Sequence, residues 1–221
     1  MATKTAPNVL LTGFAPFGGD AGNPSWEAVR ALDGARIRGH RVVSACLPVE
    51  FGRSLRDLRA AIRGAKPAAV VCVGLAAGRP HIGLERVAIN VDDARIPDNA
   101  GNQPIDEPVV PGGPAAYFST LPVKACVAAM REAGVPAAVS NTAGTFVCNH
   151  IAYGLGHLIA TEFPHVRGGF VHVPWAPEQV TDGTAPALEP ATVARGVRAL
   201  LVAAVNTPAD QDLKVTEGAT H

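Results

Sequence analysis

Short apolar runs alternate along this chain with longer segments of helical period, and that alternation constrains the fold more than any other feature. The runs cover residues 8–12, 41–47, 68–75, 137–140 and 169–173. They are too short for buried helices and rich in β-branched residues, so they read as core strands, and the intervening segments read as crossover helices. That order predicts an α/β domain with a mostly parallel sheet. Ser54, Leu55, Leu58 and Ile62 mark one helix face. Asn23-Pro24-Ser25 opens a helix through Trp26 and Val29, because Asn accepts free N–H groups and Pro fits the first helical turn. Pro122 opens another, which Gly134 closes, and a last helix is expected over 191–205. Residues 94–114, rich in Pro, Gly, Asn and Asp, predict a long ordered loop.

The 221 residues, 48% hydrophobic, suit one large domain. It is expected over 1–206, with 207–221 a frayed tail. Lysine plus arginine (19) equals aspartate plus glutamate (19), so no net positive field draws the chain to nucleic acid or an anionic membrane. No stretch approaches the roughly 18 apolar residues of a membrane span, and the N-terminus does not read as a signal peptide. A soluble cytoplasmic protein is expected. Its four cysteines then read as free thiols, with Cys46, Cys72 and Cys126 buried in apolar runs as small hydrophobes.

Cys148 differs from these three in having polar neighbours. In Asn141-Thr142-Ala143-Gly144-Thr145-Phe146-Val147-Cys148-Asn149-His150 it follows a predicted strand and precedes the periodic Ile151, Leu155, Leu158 and Ile159. That places it in the first turn of a helix. There, free N–H groups and the helix dipole favour a thiolate, and the same N–H groups suit an oxyanion. A structural cysteine beside a turn is the plainer alternative. Cys148 and His150 lack a second ligand pair, so no metal site is expected.

A nucleophilic thiol needs a proton carrier, and spacing does not choose among His40, His81, His150, His157, His165, His172 and His221. His172 ends a predicted strand, where parallel-sheet proteins place their ligand loops. His150, two residues from Cys148 on the same helix, points elsewhere. An orienting acid is sought among Glu85, Asp92 and Asp93, each of which has an ordinary role as a cap or surface partner. Thr12-Gly13-Phe14-Ala15-Pro16-Phe17-Gly18-Gly19 matches no phosphate-binding loop. Phe14 and Phe17 suit either flat pocket walls or the core.

Several segments in order carry a family resemblance: residues 11–19, Asn23-Pro24-Ser25, Leu47-Pro48-Val49, Glu85-Arg86-Val87-Ala88-Ile89-Asn90, residues 94–99, Gly101-Asn102-Gln103-Pro104, residues 140–149 and His172-Val173-Pro174. Over about 8–175 the chain resembles the pyroglutamyl peptidase I family, also called pyrrolidone carboxyl peptidases. The resemblance implies a single-domain three-layer α/β/α sandwich and a thiol exopeptidase, a hydrolase that removes an N-terminal pyroglutamyl residue without any cofactor. It puts the nucleophile at Cys148, the histidine at His172 and the acid at Glu85. It puts an arginine near the oxyanion at Arg95 and an aromatic pocket at Phe14, Phe17 and Phe146. It also implies a homo-oligomer, often a homotetramer. One position departs: in Val73-Gly74-Leu75-Ala76-Ala77-Gly78-Arg79, Leu75 stands where the family carries a glutamine that hydrogen-bonds the lactam. Losing that bond costs roughly 1–3 kcal/mol unless backbone or water replaces it. Leu75 keeps two alternatives open: a silent lactam-binding homologue, and a cysteine amidase acting on another small cyclic or acyl amide.

Overall fold

The computed structural model describes residues 6–180 and 183–218. The first five residues of the expected domain and the last three of the expected tail lie outside the described residues. In chain order the elements are β1 (Asn8–Phe14), α1 (Pro24–Arg30), β2 (Arg36–Ile37), β3 (His40–Leu47), α2 (Arg53–Ala65), β4 (Pro67–Leu75) and β5 (Ile82–Glu85). There follow β6 (Val87–Ile89), β7 (Ala116–Phe118), α3 (Val123–Glu132), β8 (Ala137–Ser140), α4 (Val147–Thr161), β9 (Arg167–Val173) and α5 (Pro190–Asn206). Seven strands form one sheet in the order β2-β3-β1-β4-β9-β5-β8. Its pairings are parallel except β2–β3 and β5–β9.

Side chains alternate across each strand, so the apolar runs feed two cores. Val9, Leu11, Val71, Val73, Val171 and Val173 pack on one face with α1, α3 and α5. Leu10, Val70, Cys72 and Phe170 pack on the other with α2 and α4. The result is the expected α/β/α sandwich. Asn23 caps α1 by accepting from Ser25 N, and Gly134 follows α3 with φ 72°.

The loop after β6 holds its shape through side chains that bond backbone. Asn90 donates to Val110 O and accepts from Val110 N, while Asp98 accepts from Phe51 N, Ala100 N and Asn102 N.

One expectation is corrected. Cys46 is exposed, because β3 has only the two-residue β2 beyond it and its far end carries no covering strand. Within residues 207–218, Asp212 accepts from Lys124 N and Ala125 N at the start of α3, and Glu217 pairs with Arg131. A carboxylate at free helix N–H groups is a favourable contact for the α3 N-terminus.

Candidate active site

Parallel order brings the carboxyl ends of β1, β4 and β9 to one edge of the sheet, beside the first turn of α4. Cys148 is the second residue of that helix and is partly buried. No side chain caps the helix N-terminus, which leaves its first N–H groups available to a ligand. Cys148 lies over β4 at Gly74. A methyl group added there would stand 2.9 Å from Cys148 Sγ and 2.8 Å from Phe170 Cζ, so only glycine admits both neighbours.

Gly74 is the register partner of His172 on β9, and His172 pairs in turn with Gly83 on β5. By strand alternation His172 shares the α4 face with Phe170, and their rings lie 4.9 Å apart. The imidazole is 3% exposed, and its Nδ1 lies 2.7 Å from Glu85 Oε1. A carboxylate accepts and does not donate, so Nδ1 carries the proton and Nε2 keeps its lone pair. Burial lowers the His172 pKa, the Glu85 bond and charge oppose this, and the Arg79 cation lowers it further. The net direction favours the neutral imidazole.

The thiol behaves differently from what its helix position predicts. Burial pushes the Cys148 pKa up to about 12; the Glu85 carboxylate and Cys72 add to the rise, and Arg79 opposes it. Desolvation thus works against the ionisation that the helix N-terminus favours.

Cys148 opens into a cavity of about 310 Å³ walled by Phe14, Phe17, Val49, Leu75, Phe146 and Trp175. Phe17 and Phe146 meet at 5.4 Å, and Phe51 supports Phe146 edge-on at 5.3 Å. Phe14 is 3% exposed, so it is both a wall and a core residue. The structure thus gathers Cys148, Phe14, Phe17, Phe146 and Leu75 around one space, with His172 and Glu85 behind the thiol. Arg95 is exposed and lies outside this lining. It sits two residues past Asp93, whose backbone bonds Thr145 just ahead of α4.

Sequence reasoning missed Arg79, which bonds Glu85 Oε1 at 2.8 Å and Thr142 O at 3.0 Å. It also missed the buried pair of His150 Nδ1 and Asp92 Oδ2 at 2.7 Å. His150 Nε2 accepts from Gly52 N, so this ring pins the segment carrying Phe51. Polar residues in unlike segments give no local signal of pairing; alternation along Gly83-Leu84-Glu85 is the only hint that Glu85 faces away from the Leu84 core.

A thiol at a free helix N-terminus, a neutral imidazole and an orienting carboxylate, set on a doubly covered parallel sheet, define the class: an α/β cysteine hydrolase. A family profile described as pyroglutamyl peptidase matches residues 7–207. The pyrrolidone-carboxylate peptidase of Streptomyces coelicolor is 75% identical over 96% of this chain and 99% of its own length. That of Escherichia fergusonii is 55% identical over 96% and 99%. The crystal structure of Bacillus amyloliquefaciens pyroglutamyl peptidase I superposes with a TM-score of 0.91 at 48% identity, covering 94% of this chain and all of that one. The chain belongs to the pyroglutamyl peptidase family.

Proposed function

We propose that this protein hydrolyses the amide bond after an N-terminal pyroglutamyl residue, with Cys148 as nucleophile. The observation that carries the reading is the apolar aromatic cavity opening directly on Cys148, since a lactam ring has no charged amine to desolvate. Free glutamate or glutamine would bring charges against walls that are mostly apolar, with Asp20 the one ionised side chain of the lining.

In this mechanism His172 Nε2 takes the thiol proton as Sγ attacks the carbonyl carbon, so ionisation accompanies attack and does not precede it. The oxyanion meets the first N–H groups of α4. The family role of Arg95 beside the oxyanion requires its exposed side chain to swing toward the cavity. The C–N bond breaks as His172 returns its proton to the leaving amine. Water, deprotonated by His172, then attacks the thioester, the C–S bond breaks, and the thiol is restored. Glu85 keeps Nδ1 protonated and stabilises each imidazolium. No step draws on a cofactor or metal ion.

Cytoplasmic operation as a homo-oligomer, a homotetramer, belongs to the same reading. Its supports are the balanced charge and the exposed side chain of Phe118, 69% accessible, on β7. Among the described residues no helix is long and apolar enough to cross a membrane. Leu75 favours one second reading, a related cysteine amidase whose preferred ring or acyl group needs no side-chain amide partner at that wall. Release of free pyroglutamate from a pyroglutamyl dipeptide is the test. The native protein is expected to turn over and Cys148→Ala to be silent; equal release by both refutes the assignment.

A further inference from the structure

We infer that Arg79 is a positioning residue of this site: its guanidinium ties the acid Glu85 to the turn that delivers Cys148, and its charge sets the proton balance between Cys148 and His172. The inference rests on the functional reading above and adds a residue to which that reading gives no task. Arg79 follows β4 on the connection to β5. One arm of its fork bonds Glu85 Oε1, the same oxygen that receives His172 Nδ1. The other arm bonds Thr142 O, in the turn between β8 and α4. That turn is stiffened by Ser140 Oγ and Thr142 O and by Gly144 N donating to Thr142 Oγ1, so Arg79 grips a set geometry.

The fold makes room for this contact. A methyl group added at Gly83 would stand 2.5 Å from Arg79 Nη1, so β5 has no side chain where the guanidinium lies against it. Gly83 is also the β5 residue paired with His172. The cation therefore sits across the strand from the imidazole and beside its acid, with its side chain 25% exposed against 2% for Glu85.

The charged and titratable groups around the pair come from each neighbouring element: Glu85 from β5, Arg79 from the preceding loop, Cys148 from α4 and Cys72 from β4. The cation opposes a second positive charge on His172, favours negative charge on Cys148, and competes for the Glu85 oxygen that would stabilise an imidazolium. All three effects have one sign. Removing the cation makes His172 easier to protonate and Cys148 harder to ionise, so both limbs of the pH profile move to higher pH.

The test is the pH dependence of kcat/KM for the native enzyme, Arg79→Met, Arg79→Lys and Gly83→Ala. Arg79→Met is expected to raise both limbs by about 1 unit, the scale of a neighbouring charge, so that below the acid limb activity falls about tenfold. Arg79→Lys should return the limbs toward native while leaving the rate lowered, because one ammonium replaces the charge but not the fork. Gly83→Ala, which leaves Arg79 intact but displaces it, should move the limbs as Arg79→Met does. Limbs unmoved in Arg79→Met, with only a uniform loss of rate, overturn the inference, as does a lysine variant no closer to native. Alkylation of Cys148 by iodoacetamide across pH reads the thiol without substrate. A native protein that releases no pyroglutamate sinks the functional reading, whereas an alkylation profile unmoved in Arg79→Met sinks this one.

Discussion

Replacing Gly74 with alanine tests the placement of the nucleophile more directly than removing it does. The new methyl would lie 2.9 Å from Cys148 Sγ and 2.8 Å from Phe170 Cζ. Ordinary contact between heavy atoms starts at about 3.5 Å, so each neighbour must retreat by at least about 0.6 Å. Neither has free space: Phe170 is 1% exposed within the α2–α4 core, and Cys148 rides on a helix whose next turn buries Ile151 completely. Overpacking of this kind costs about 1–3 kcal/mol, and a displacement approaching 1 Å at a reacting atom costs up to about 100-fold in rate. The three atoms nearest the new methyl belong to Cys148 and Phe170, and not to the aromatic walls Phe17 and Phe146, so substrate binding should be largely spared. A fluorogenic pyroglutamyl amide should therefore report kcat lowered 10- to 100-fold, roughly, with KM within about threefold of native. Thermal unfolding should show a fall of several degrees. A kcat within twofold of native would mean that Cys148 does not react from above Gly74, and the site geometry would fail with it.

Two further outcomes follow from the same structure. The pKa values of Cys72, Cys126 and Cys148 are all pushed from 9.0 up to about 12 by burial. The unfolded chain thus releases these protons first, and stability present below about pH 9 should be lost progressively above it, by about 1 kcal/mol per buried thiol at pH 10. Urea midpoints at pH 8 and pH 10 measure this, and the drop should be smaller in Cys126→Ala; an equal drop removes the thiols as its cause. Leu75→Gln should lower KM for a pyroglutamyl amide a few-fold, the gain of about 0.5–1.5 kcal/mol from one hydrogen bond. An unchanged KM would show that the lactam does not sit against this wall.

Much of the scaffold was legible because it is periodic. Short apolar runs identified β1, β3, β4, β8 and β9 within a residue or two, and Asn23-Pro24-Ser25 marked the start of α1. β2, β6 and β7 carry two or three residues each, too few for a pattern to register, and β5, as long as β8, is broken by Gly83 and Glu85 and so shows no apolar run. Cys148 stood out because a turn precedes it and a helical period follows. Its partners did not: His172 lies 87 positions from Glu85, and the residues between them say nothing about their meeting. Family likeness named them, and strand order brought them together.

By itself the sequence determined the alternation of strands and helices, the helix starts and the position of one thiol at a helix entrance, because each depends on residues within a turn or two of one another. The tertiary structure decided which histidine and which acid stand behind that thiol. It did so by inserting the last strand, β9, between β4 and β5 and running β5 antiparallel to it, a choice no local pattern encodes. It also raised the pKa of Cys148, since a helix dipole can be read from position, whereas desolvation is the summed effect of every neighbour that excludes water.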